Sequence, residues 1–86
     1  MMIEANVTFH NKIELKIQAQ IFSEYTLIST GIAASGETCT LSNDAERYDV
    51  YFRDLATGRV IARKFDNDAK TIILRKERGL YVIDSR

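Results

Sequence analysis

The sequence contains no proline and no tryptophan, and only one cysteine and one histidine. Each shortage excludes something. Cys39 alone closes no internal disulfide, so the chain does not follow the plan of small secreted domains held by several bridges. With His10 as the sole imidazole and no cysteine beside it, a zinc site lacks ligands, and no metal or cofactor is expected. A nucleophilic Cys39 would need His10 as its base, so a small hydrolase requires the two to meet at a concave surface. The four glycines, Gly31, Gly36, Gly58 and Gly79, are scattered, which leaves no phosphate-cradling loop. No apolar run approaches the ~20 residues of a membrane-spanning helix. Glu4 and Asn6 interrupt the stretch where a signal peptide needs continuous apolar residues. The expected location is therefore cytoplasmic, with export by a route the N-terminus does not encode as the alternative. Asn6-Val7-Thr8 matches a glycosylation sequon, which without secretion is a chance match.

Charge is balanced, with 12 basic and 12 acidic residues. The first half, to Asn43, holds Lys12 and Lys16 against Glu4, Glu14, Glu24 and Glu37, and the second half carries a small basic excess. That asymmetry is too slight for a nucleic-acid footprint, which calls for a strongly basic face. Asp66, Asp68 and neighbouring carboxylates suggest calcium. However, the stretch Asp66 to Lys70 lacks the central glycine and later bidentate glutamate of a calcium loop and reads as a turn.

What the chain does have is alternation. Ile3, Ala5, Val7 and Phe9 alternate with polar residues, and Ile13, Leu15, Ile17, Ala19 and Ile21 do so more clearly. Asn11-Lys12 is the turn between them. Further strands are predicted at about Tyr25 to Ile32, Glu37 to Leu41, Tyr48 to Asp54, Arg59 to Phe65, Lys70 to Arg75 and Leu80 to Ile83. The polar run Ser42 to Arg47 reads as a turn, or as one helical turn capped by Ser42 or Asn43. Short strands at this spacing predict one all-β domain over residues 1–86. Its expected form is an antiparallel β-sandwich, immunoglobulin-like or prealbumin-like, of seven or eight strands.

The stretch YDVYFRDLATGRVIARKF, Tyr48 to Phe65, reads as a hairpin closed by Ala56-Thr57-Gly58, with the glycine in the left-handed conformation. Pairing Leu55 with Arg59 sets Val50 opposite Lys64, Phe52 opposite Ala62 and Asp54 opposite Val60, a set that looks like core. It sets Tyr51 opposite Arg63 and Arg53 opposite Ile61 on the other side. Tyr51, Arg53, Ile61 and Arg63 thus form the candidate partner-binding face, since tyrosine and arginine dominate interface hot spots.

The succession VTFHN (Val7 to Asn11), SGE (Ser35 to Glu37) and YFRDLATG (Tyr51 to Gly58) resembles the β domain of the von Hippel–Lindau tumour-suppressor type across about the first two thirds of the chain. The chain has no counterpart of that family's helical domain and no match to its substrate pocket, so no functional residue carries over. The same strand order is similar to aegerolysin-like, lipid-binding sandwiches, which are longer. Both resemblances imply a sandwich that works by binding. The expected function is a non-catalytic module acting through protein–protein contact, as inhibitor or adaptor. The alternative is a lipid- or carbohydrate-binding module. Open sheet edges make a homo-oligomer a further expectation.

Overall fold

The computed structural model describes residues 5–86, and Ile3, where the predicted first strand begins, lies outside them. Eight strands follow in order: β1 (Ala5–Asn11), β2 (Ile17–Ser23), β3 (Thr26–Ala33), β4 (Thr38–Asn43), β5 (Tyr48–Asp54), β6 (Val60–Asn67), β7 (Thr71–Glu77) and β8 (Leu80–Ser85). They form two four-stranded sheets, in the orders β4-β1-β7-β8 and β3-β2-β5-β6. No described residue is helical, so no helix among them could cross a membrane.

Every pairing is antiparallel except β1 with β7, which is parallel. The wholly antiparallel sandwich expected from the sequence is corrected on this point. Parallel neighbours cannot be joined by a tight turn. Here the intervening chain builds the entire second sheet before returning to the free side of β1, and it arrives running in the same direction.

The alternation in β2 and β5 buries every second residue, placing Ile17, Ala19 and Ile21 beside Val50 and Phe52. From the facing sheet come Val7 and Phe9 of β1, Leu41 of β4, and Ile72 and Leu74 of β7. Phe9 and Phe52 meet at the centre with ring centroids 4.8 Å apart, tilted by 36°. Fully burying side chains of this size stabilises by about 1.5–3 kcal/mol each. At one margin the sheets approach closely. A Cβ on Gly31 of β3 would lie 2.7 Å from Leu41 Cδ2 and 3.0 Å from Cys39 Sγ, so any side chain there would have to push these two aside, and the glycine lets β3 pack closely on β4.

The second strand was expected from Ile13 but begins at Ile17. Asn11, buried at the end of β1, turns the chain first. Its Oδ1 accepts the Ile13 amide at 3.1 Å, and its Nδ2 donates to the carbonyls of Leu15 (2.8 Å) and Ala33 (2.9 Å). Ile13 still plugs the core at 2 % exposure, so the apolar spacing counted a bend residue as strand. The polar run after β4 is a turn rather than a helical one. Asn43 accepts the Ala45 amide at 3.1 Å, the geometry of an Asx turn.

Tyr48 begins β5 fully buried, its hydroxyl donating to the Ala69 carbonyl. Burial, with the charge of Asp68 adding to it, pushes this phenol up to about 12. The unfolded chain's tyrosine titrates near 10. The folded state therefore holds the proton more tightly, and this contribution to stability is complete below about pH 10 and lost as pH rises towards 12. The urea midpoint of the native chain should fall between pH 10 and 12, and fall less in Tyr48→Phe. Equal slopes in the two proteins would place the alkaline transition on other groups.

Candidate functional site: an aromatic sheet face

The β3-β2-β5-β6 sheet turns one face to the core and one to solvent. The register sets Tyr51 between Gln20 of β2 and Arg63 of β6, and Arg53 between Gln18 and Val60. Phe22 lies opposite Asp49 at the end of the same face. A solvated sheet face ordinarily alternates to polar residues. This one carries an aromatic ridge instead. The Phe22 and Tyr51 rings meet edge-on with centroids 5.3 Å apart, and Tyr51 meets Phe65 edge-on at 5.9 Å. Arg63 caps the ridge with its guanidinium 5.5 Å from the Phe65 ring centre, a cation–π contact.

Arg53 is held rather than free. Its Nε donates to Gln20 Oε1 at 2.8 Å and its Nη1 to the Gly58 carbonyl at 2.9 Å, which anchors the side chain to both β2 and the β5–β6 turn. That turn keeps the expected left-handed glycine, Gly58 at φ +76°, but it closes one residue earlier than the expected Leu55–Arg59 pair. The Asp54 amide donates to the Arg59 carbonyl at 2.9 Å and the Gly58 amide to the Asp54 carbonyl at 2.7 Å, so Leu55 belongs to the loop.

Three of the four face residues expected from the sequence come together: Tyr51, Arg53 and Arg63. Ile61 does not join them. Val50–Lys64, Tyr51–Arg63 and Phe52–Ala62 pair as a two-stranded count requires. The next pair is Arg53–Val60, which leaves Ile61 as the extra residue of a β-bulge. Ile61 and Ala62 consequently both pack against the core, while Val60, expected inside, is exposed.

The structure adds Phe22, Tyr25 and Phe65 to this face. Parity already pointed to two of them, since Phe22 continues the phase of Gln18 and Gln20, and Phe65 that of Arg63. Tyr25 has no such signal. It sits in the β2–β3 turn with φ +67°, after Glu24 at φ +50°, and its side chain is fully exposed. Two consecutive non-glycine residues in the left-handed region, one a bare tyrosine, cost stability that a simple hairpin turn of Asn-Gly would not. Phe22, Tyr25, Tyr51 and Phe65, with Asp49 and Arg53, line a concavity of about 530 Å³.

The other sequence candidates are dispersed. Cys39 pairs with Phe9 and packs against the core, where burial pushes its thiol up and keeps it protonated. His10, next to Phe9 in β1, alternates to the outer face of that sheet, beside Thr38 and Ile73. The two therefore lie on opposite sides of one sheet. Asp66, which lies in β6 and not in the expected turn, and Asp68 face Arg47 at 2.5 and 3.7 Å, and Asp49 accepts the Asp66 amide at 2.9 Å, so these carboxylates tie the end of β6 to the β4–β5 connection. Among the described residues no cluster of three or more potential metal-ligating side chains occurs.

No family model, curated protein or solved structure matches this chain.

Proposed function

We propose that the chain is a non-catalytic binding module that engages a protein partner through the outer face of the β3-β2-β5-β6 sheet. The carrying observation is the ridge of Phe22, Tyr51 and Phe65 on a solvent-facing sheet, flanked by a pinned Arg53 and a stacked Arg63. Large rigid rings and preset guanidinium groups lose little conformational freedom on contact, which is why such residues carry interface energy. The immunoglobulin arrangement keeps the first two strands in one sheet. Here β1 and β2 belong to opposite sheets, which supports the prealbumin-like type of sandwich. The von Hippel–Lindau resemblance accords with the same habit of working by contact.

A second reading has its own support. The concavity between Phe22, Tyr25, Tyr51 and Phe65 offers ring surfaces for a sugar's C–H face, with Asp49 and Arg53 at hand for hydroxyls.

The test is a quantitative pull-down from the native host with the wild-type chain beside Tyr51→Ala/Arg53→Ala, followed by Kd measurement on the captured partner. Truncating two hot-spot residues should weaken binding by about thirtyfold or more, with an unchanged far-UV CD spectrum. An identical captured set at identical affinity removes the proposal. Glycan-array or vesicle binding that disappears in the same variant transfers the face to the second reading.

A further inference from the structure

The two sheets end together on one side of the sandwich. There β3 is the edge of one sheet, β4 is the edge of the other, and Gly31 allows them to pack closely. This side is almost without charge. Glu37 is the only charged residue from Thr26 to Asn43, and neither strand contains proline. The opposite side is different. Its edge strand β6 carries Arg63, Lys64 and Asp66, β8 carries Asp84, and Lys64 Nζ reaches across the sheets to Ser85 Oγ at 2.5 Å.

Edge strands offer unpaired backbone groups to any passing chain, and proteins commonly guard them with lysine, proline or a bulge. The β6 and β8 edges are guarded by charge. The β3 edge has one such device, a register shift at Ile21/Phe22 that leaves Ile28 unpaired with β2. Beyond it, Ser29–Ala33 pair without interruption. That regular segment is centred on Gly31, and Ile32, 48 % exposed, stands beside it on the outer face.

We infer that β3 is a dimerisation edge. Two copies of the chain pair Ser29–Ala33 antiparallel about a two-fold axis at Gly31, joining two four-stranded sheets into one of eight strands. A second copy is the occupant that the charge pattern favours. An isologous contact lays a surface on itself, so every charge on it meets its like nearby. The segment carries none, the β4 edge beneath it carries none, and the chain's net charge of zero leaves no long-range repulsion between copies. About this axis Thr30 lies opposite Ile32 of the second copy, and the reverse. The aromatic faces of the two copies then form one continuous surface.

The test uses the full chain in sedimentation velocity or light scattering over a concentration series. The wild type should show twice the monomer mass at high concentration. In Thr30→Lys/Ile32→Lys the introduced ammonium groups face each other twice across the axis, and the dimer Kd should rise about tenfold or more. In Thr30→Glu/Ile32→Lys opposite charges meet at the same two places, and dimerisation should return to near the wild-type level. Both positions are solvent-facing, and CD with a thermal melt verifies that the fold is kept. A monomeric wild type at millimolar concentration overturns the inference. So does a dimer that survives the double lysine change, or equal weakening by both variants.

Discussion

Phe52→Ala should destabilise the domain by about 3–5 kcal/mol, the range for removing a fully buried aromatic ring. Phe52 has no exposed surface and stacks against Phe9 from the facing sheet at 4.8 Å. Its loss opens a cavity where the two layers meet, and strands tied by their own hydrogen bonds cannot collapse into it. A domain of this size is expected to have about 4–13 kcal/mol in total, so the change removes a large share of it. The melting temperature should fall by about 12–40 °C at the usual sensitivity for chains of 60–100 residues. Urea unfolding followed by CD gives the number. A loss below about 1 kcal/mol would mean that the two sheets do not meet at this ring pair.

The second large effect is expected at a polar residue. Asn11→Leu keeps the side-chain size and adds apolar character, yet it should cost about 3–5 kcal/mol. Three backbone groups lose their partner at once: the Ile13 amide and the carbonyls of Leu15 and Ala33. Leaving one buried group unsatisfied costs about 1–3 kcal/mol, and several in one bend cannot all turn to water. The two substitutions differ in a way hydrogen exchange can read. Asn11→Leu should speed exchange at the Ile13 amide beyond the global loss of stability, because the bend opens locally. Phe52→Ala should raise exchange throughout the core in proportion. If Asn11→Leu proves neutral in urea, the asparagine is not what turns β1 towards β2.

These two residues also mark how far the sequence could be read. Alternation found Phe52 and the β5 strand with its correct ends, because each residue there obeys the inside–outside rule. It found the hairpin pairing from Val50–Lys64 to Phe52–Ala62. It failed one step later at Ile61, because a bulge obeys packing in three dimensions and leaves no composition signal in RVIAR. The same reasoning misplaced the start of β2: Ile13 is apolar and in phase, but it reaches the core from a bend shaped by Asn11. The parallel pairing of β1 with β7 was invisible for a different reason. Strand partners distant in sequence leave no local mark, and adjacent strands in this chain read as hairpins by default. Of the candidate face, Tyr51, Arg53 and Arg63 were legible from the register alone. Phe22 and Phe65 were legible by parity. Tyr25 was not, since its position depends on a turn conformation that its side chain disfavours.

The parallel seam between β1 and β7 also sets an order on biosynthesis. As the chain leaves the ribosome, β2 and β3 can zip together at once, and β5 and β6 can close their own turn soon after. β1 must meanwhile wait with one flank open until β7 has emerged. The second-layer sheet can thus form before the β7–β8 hairpin arrives as the latch that closes the first.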